Sequence, residues 1–136
     1  MANDVVRRVD YWYATVPAGS EHSVLKRLAG AKVDLLAYLA FPAAGGGAQV
    51  DVFPRDARAF ERAASNLKIA LSSRKQALLV EGSDRPGALA DLLERLAAKG
   101  IPVTASTAIA VSGGGYGFLI FVKHDALDGA AKLLGA

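Results

Sequence analysis

The chain has 136 residues, 52% of them hydrophobic and 21% charged, with a formal net charge of +3 and no cysteine. That balance belongs to a globular protein of one domain or two very small ones, and it excludes a disordered chain, disulfides, thiolate metal sites and a cysteine nucleophile. No apolar run reaches the roughly 18 residues of a membrane span, MANDVVRRVDYWYATV lacks the layout of a secretory signal, and the basic residues are interleaved with acids, so a cytoplasmic protein with no call for nucleic acid is expected.

Residues 9–16, VDYWYATV, read as a first strand, with Trp12 alternating against Tyr11 and Tyr13 across its two sides. Gly19 opens a helical pattern carrying Val24, Leu25 and Leu28 and closing near Gly30. VDLLAYLAFPAAGGGAQVDVF then reads as a hairpin with glycine at its tip, followed by an Ala-rich helix over 55–66 around Phe60 and a short strand over 67–72, LKIALS. The same order restarts at residues 76–82, QALLVEG. Leu89, Leu92, Leu93 and Leu96 fall at i, i+3, i+4 and i+7, Gly100 stops that helix, IPVTASTAIAVSGGGYGFLIFV forms a second hairpin, and 125–134 forms a last helix around Leu127, Ala131 and Leu134.

The two halves keep a constant displacement of 68 residues, from Gly19 to Gly87 and from Gly45 to Gly113, which also superposes Leu28 on Leu96, Ala37 on Ala105 and Phe53 on Phe121. A fixed gapless period marks a tandem repeat. The expected fold is therefore α+β: two ferredoxin-like βαββαβ units, residues 1–72 and 73–136, each an antiparallel sheet with its helices on one face. The second unit lacks its own last strand, so segment 67–72, the N-terminal residues or another subunit must cover the edge beside strand 76–82. Units of this size have marginal cores and are expected to pack jointly, and a homodimer is expected as well.

The stretch GSDRPGALADLL holds the candidate site. Asp84 is placed to cap the following helix and Pro86 to occupy its first turn. Gly87 allows close approach to the backbone, the free N–H groups of the helix start favour a carboxylate, Arg85 adds a cation, and Asp84 can take an ammonium. An amine and a carboxylate held together describe a free amino acid.

DRPGALADLLERLAAKGIPV resembles the turn, first helix and second-strand entry of an ACT domain, a small amino-acid-binding regulatory module. With the repeat, the likeness covers nearly the whole chain and resembles free-standing bacterial proteins made of tandem ACT units without a catalytic domain. In that family, ligand commonly lies between the first loop of one unit and the second strand of the other, often touching an Asn just inside that strand. The matching positions here are Asp34 and Pro102, and the loops are Asp84–Leu89 and the nonpolar Val16-Pro17-Ala18-Gly19. The resemblance thus implies one site, made of Asp84, Arg85, Pro86, Gly87, Ala88 and Leu89 facing Asp34, with Val33, Leu35 and Trp12 shaping the pocket. Asp in place of Asn leans the ligand preference toward an amine. The expected protein is a small-molecule sensor with no catalytic activity, no cofactor and no metal, acting on an unidentified protein partner.

Three other readings compete. A structural or partner-docking pair without ligand is the first alternative. GYGFLIF places Tyr116 and Phe118 at the spacing of base-stacking aromatics on an RNA-recognition strand, though no basic residue leads it. Asp34 with Asp84 is the sole pair suggestive of acid-base catalysis. The glycine triplets lack the Lys-Ser/Thr of a phosphate loop, and His22 and His124 have no partner at metal-ligand spacing, which leaves both histidines at the surface.

Overall fold

The computed structural model describes residues 4–136. The order β-α-β-β-α runs twice: β1 (Val5–Val16), α1 (Glu21–Gly30), β2 (Leu35–Pro42), β3 (Ala48–Pro54) and α2 (Ala57–Leu67), then β4 (Lys75–Ser83), α3 (Ala88–Ala98), β5 (Ala105–Ala110), β6 (Gly115–Phe121) and α4 (Leu127–Leu134), with one 3-10 turn at His124–Ala126 before α4. The chain is α+β, and its contacts divide it into two compact units, Asp10–Lys75 and Gln76–Ala136, the second including the residues up to Val9.

In the Asp10–Lys75 unit the strand order is β2-β3-β1. β1 runs antiparallel to β3 with Trp12 opposite Val52 and Ala14 opposite Val50, which puts Trp12, Val50 and Val52 on one face. α1 and α2 cover that face, burying Val24, Leu28, Phe60 and Ala64 against it, with the Trp12 and Phe60 rings 4.7 Å apart. Each such side chain contributes about 1.5–3 kcal/mol when removed from water. Asp56 starts α2, its carboxylate accepting the Ala59 N–H at 3.1 Å. Residues 68–74 are not a strand, contrary to the expectation for 67–72. Lys68 closes α2 in the left-handed conformation, φ 54°, and the chain then runs beside β1, where the Ser72 N–H donates to the Tyr13 carbonyl at 2.8 Å and the Ser72 hydroxyl oxygen accepts the Tyr13 N–H, while Ile69 and Leu71 pack against the core.

In the other unit the order is β1-β4-β6-β5. Of the three candidates for the edge beside β4, the N-terminal residues occupy it: β1 extends four residues further than the apolar pattern indicates, and its Val5–Val9 half belongs with β4. The edge that β4 would otherwise leave bare is satisfied by pairing with β1. Arg7 meets Glu81, and Arg8 reaches Asp128 on α4 at 2.8 Å. β4, β6 and the two helices α3 and α4 enclose a core of Leu78, Val80, Ala88, Leu92, Leu96, Tyr116, Phe118, Ile120, Leu127, Ala130, Ala131 and Leu134. Both hairpin tips carry glycines at positive φ, Gly45–Gly47 and Gly113–Gly114, which side-chain-bearing residues rarely adopt. His22 and His124 are exposed.

Candidate functional site

α3 does not begin as the sequence suggests. Its cap residue is Gly87, at φ 88°, and no side chain caps it, so Asp84 lies outside the helix and Pro86 lies in the preceding turn. The cause is local. The Asp84 N–H is tied to the Gly114 carbonyl at 2.7 Å, and the left-handed Gly87 inserts a turn between that anchor and the first helical residue, Ala88, whose N–H returns to the Arg85 carbonyl at 3.2 Å. Residues 84–87 are exposed, Ala88 is buried in the core, and Leu89 is exposed.

Arg85 turns back over this helix start. Its guanidinium pairs with Asp91 in the first turn of α3 and donates to the Pro86 carbonyl at 3.2 Å. The hydrogen bond from Arg85 holds the Asp91 carboxyl below the usual carboxylate range. Beside this pair opens a cleft of about 380 Å³ lined by Asp4, Val6, Arg85, Asp91, Leu92, Arg95 and Leu134. Val6, Leu92 and Leu134 supply its apolar part, while two guanidinium and two carboxylate groups supply the rest. Arg95 is fixed by donating to the Leu133 carbonyl at 2.8 Å. Asp4 lies against Gly82, where any added side-chain carbon would overlap its carboxylate. Behind Asp4 the Tyr116 phenol is buried; burial first, and the Asp4 carboxylate second, push its pKa above the usual tyrosine range. Its hydroxyl makes no hydrogen bond of acceptable geometry with any described group.

The remaining expected residues lie in the Asp10–Lys75 unit. Val33 and Leu35 pack, half-buried, against the core that holds Trp12, and Trp12 itself is sealed under α2. Asp34, between them, is exposed and pairs with Arg55, Oδ2 to Nε at 3.0 Å, while its carbonyl accepts the Arg55 N–H. Reading the sequence missed Asp4, Val6, Asp91, Leu92, Arg95 and Leu134. Asp91 and Arg95 stand four apart on one helix face and offered a signal; the other four converge only through long-range packing.

Tyr116 and Phe118 do not form a base-stacking platform. Both point into the helix-covered core, because Phe118 and its alternates on β6 share the face that α3 and α4 occupy. Among the described residues there is no grouping of three or more acidic, His or Cys side chains able to hold a metal ion, and no helix is long and apolar enough to cross a membrane.

No family model matches the chain, and no curated protein matches it in sequence. Solved structures do. Protein BT0572 from Bacteroides thetaiotaomicron is 19% identical with a TM-score of 0.77, the match covering 98% of this chain and 89% of that one. The regulatory subunit of aspartate kinase from Thermus thermophilus is 11% identical with a TM-score of 0.63, covering 98% and 95%. A structure of aspartokinase alpha and beta subunits is 17% identical with a TM-score of 0.61, covering 97% and 94%. The fold is of the ACT type. At these identities the likeness concerns architecture, and it extends over nearly the full length of the chain.

Proposed function

We propose that this protein is a regulatory sensor built from two tandem βαββαβ ACT-like units, and that it binds a free amino acid at the Asp84–Leu89 loop and the adjoining cleft. The observation that carries this reading is the composition of the cleft: two guanidiniums and two carboxylates around an apolar floor, at the start of a helix. A zwitterion with an apolar side chain matches all three features. Its carboxylate competes with Asp91 for Arg85 and is favoured by the positive end of α3, and its ammonium is taken by Asp4 or by the released Asp91. Ligand thus exchanges an internal ion pair for an external one and frees the loop from α3, which gives two loop states for a partner to distinguish. The regulatory subunits of aspartate kinase that share the fold support a sensing role, and nothing in the site calls for catalysis.

The test is a thermal-shift series with each free amino acid. A ligand present at 100 times its Kd stabilises the folded state by about 2.7 kcal/mol. A hit reduced by Arg85→Gln and by Asp4→Asn supports the cleft, whereas no hit at millimolar concentrations refutes the sensor. Asp34→Asn is tested separately, since Asp34 already pairs with Arg55 in its own unit.

A further inference from the structure

Behind the cleft stands a polar group with nothing to bond. Tyr116, Phe118 and Ile120 alternate along β6 into the core beneath α3 and α4, and Tyr116 comes last, opposite Gly82 near the end of the β4–β6 ladder. Its ring shares that core with Leu92 and Leu134, which also line the cleft. The hydroxyl at its tip is buried and has no hydrogen-bond partner among the described residues. Folded proteins pair nearly all such groups, so an orphan that persists needs a reason.

The neighbourhood of that tip is set by Gly82. A side-chain carbon at position 82 would overlap the Asp4 carboxylate and stand 3.0 Å from Tyr116 Cε1, the ring carbon next to the one that bears the hydroxyl. Glycine therefore leaves a notch in which an acid from the start of the chain and a phenol from β6 lie side by side. Asp4 and Arg85 line the cleft, and the charges of both reach the phenol. Burial, and after it the Asp4 carboxylate, hold the proton on the phenol oxygen, so at neutral pH a donor sits beside an acceptor that it does not engage. A rotation of the Asp4 side chain is enough to complete the pair.

We propose that Tyr116 is the positioning residue for the ammonium acceptor of the cleft: when Asp4 turns to take the ammonium of an amino acid, its inner carboxylate oxygen accepts the Tyr116 hydroxyl, a hydrogen bond made only in the complex. This rests on the amino-acid reading above and assigns, within it, the group that holds the ammonium. The orphaned hydroxyl burdens the free protein and is relieved on binding, so removing it acts in opposite directions on stability and on affinity. A tyrosine kept for packing alone would leave affinity unchanged when its hydroxyl is removed.

Titration of the 15N-labelled full chain with L-valine, L-leucine, L-isoleucine and L-methionine, followed by amide resonances, tests this. Tyr116→Phe is expected to raise the Kd of the tightest of the four about tenfold, equivalent to about 1.4 kcal/mol, while its Tm rises. In an Asp4→Ala background the same substitution is expected to change Kd by less than about twofold, because the hydroxyl acts through the Asp4 carboxylate. A Kd that Tyr116→Phe leaves unchanged while the wild type binds overturns this proposal and leaves the amino-acid reading standing. A full tenfold loss that persists without the Asp4 carboxylate also overturns it, since the hydroxyl then acts independently of Asp4. A wild type that binds none of the four overturns both.

Discussion

Replacing Tyr116 by phenylalanine isolates the cost of a buried hydroxyl. The side chain is 6% exposed, its hydroxyl has no hydrogen-bond partner among the described residues, and the ring packs with Phe118, Leu92 and Leu134 in one core. Phenylalanine keeps the ring and removes only the orphaned oxygen. An unsatisfied buried polar group costs about 1–3 kcal/mol, and the nearby Asp4 carboxylate offsets part of that by its field, so Tyr116→Phe is expected to stabilise the protein by about 1 kcal/mol. For a chain of this length that corresponds to a rise of roughly 3–5 °C in Tm, readable by calorimetry and by urea unfolding with an unchanged slope. The pH dependence adds a second readout. Because the folded-state pKa of Tyr116 lies above its unfolded value of 10.0, the phenol's contribution is fully present below pH 10 and is lost as pH rises through the folded-state value. The advantage of the phenylalanine variant therefore widens above pH 10. A loss of stability in Tyr116→Phe at neutral pH would show that the hydroxyl is hydrogen-bonded, and the description of Asp4 and Tyr116 would fall.

Three further substitutions probe other parts of the account. Asp51 is 4% exposed, accepts a hydrogen bond from Gln49 at 3.0 Å, and burial raises its pKa; its contribution is present below the unfolded value and lost as pH rises through the folded one, so Asp51→Asn is expected to be more stable than the wild type at pH 7 and to lose that advantage in acid, as followed by urea melts across pH. Gly87→Ala forces a side-chain-bearing residue to φ 88° and is expected to cost about 1–2 kcal/mol in chemical denaturation; a neutral result would mean that α3 starts elsewhere. Arg8→Ala breaks a 2.8 Å ion pair whose Asp128 side chain is 91% exposed, and is expected to change stability by less than about 1 kcal/mol; a larger loss would give that ion pair a structural role the geometry does not indicate.

How much of this was legible in the chain depends on range. The hairpins with glycine tips and the two amphipathic helices of each half follow from patterns a few residues long, and the structure keeps them. The failures occurred where distant residues decide. The Val5–Val9 half of β1 carries Arg7 and Arg8, which obscure any alternation, and those residues become strand because β4 presents an open edge with Glu81 beside it. Segment 67–72 has a strand-like composition, yet the left-handed Lys68 turns it away at the end of α2, and it meets β1 by hydrogen bonds at Ser72 without joining the ladder. Asp84 has the chemistry of a cap, but its own N–H is committed to Gly114, a contact 30 residues away that local spacing cannot reveal. The loop of the candidate site was readable from its Asp-Arg-Pro-Gly run. Its cleft was not, because Asp4 and Leu134 come from opposite ends of the chain.

The sensor reading is tested most directly by following backbone amide resonances of the 15N-labelled protein during titration with the amino acid that gives the largest thermal stabilisation. The account predicts saturable shifts concentrated at Arg85, Gly87, Ala88, Asp91 and Arg95, abolished in Arg85→Gln. Shifts that leave the start of α3 untouched, or no saturable shift with any free amino acid, would contradict it.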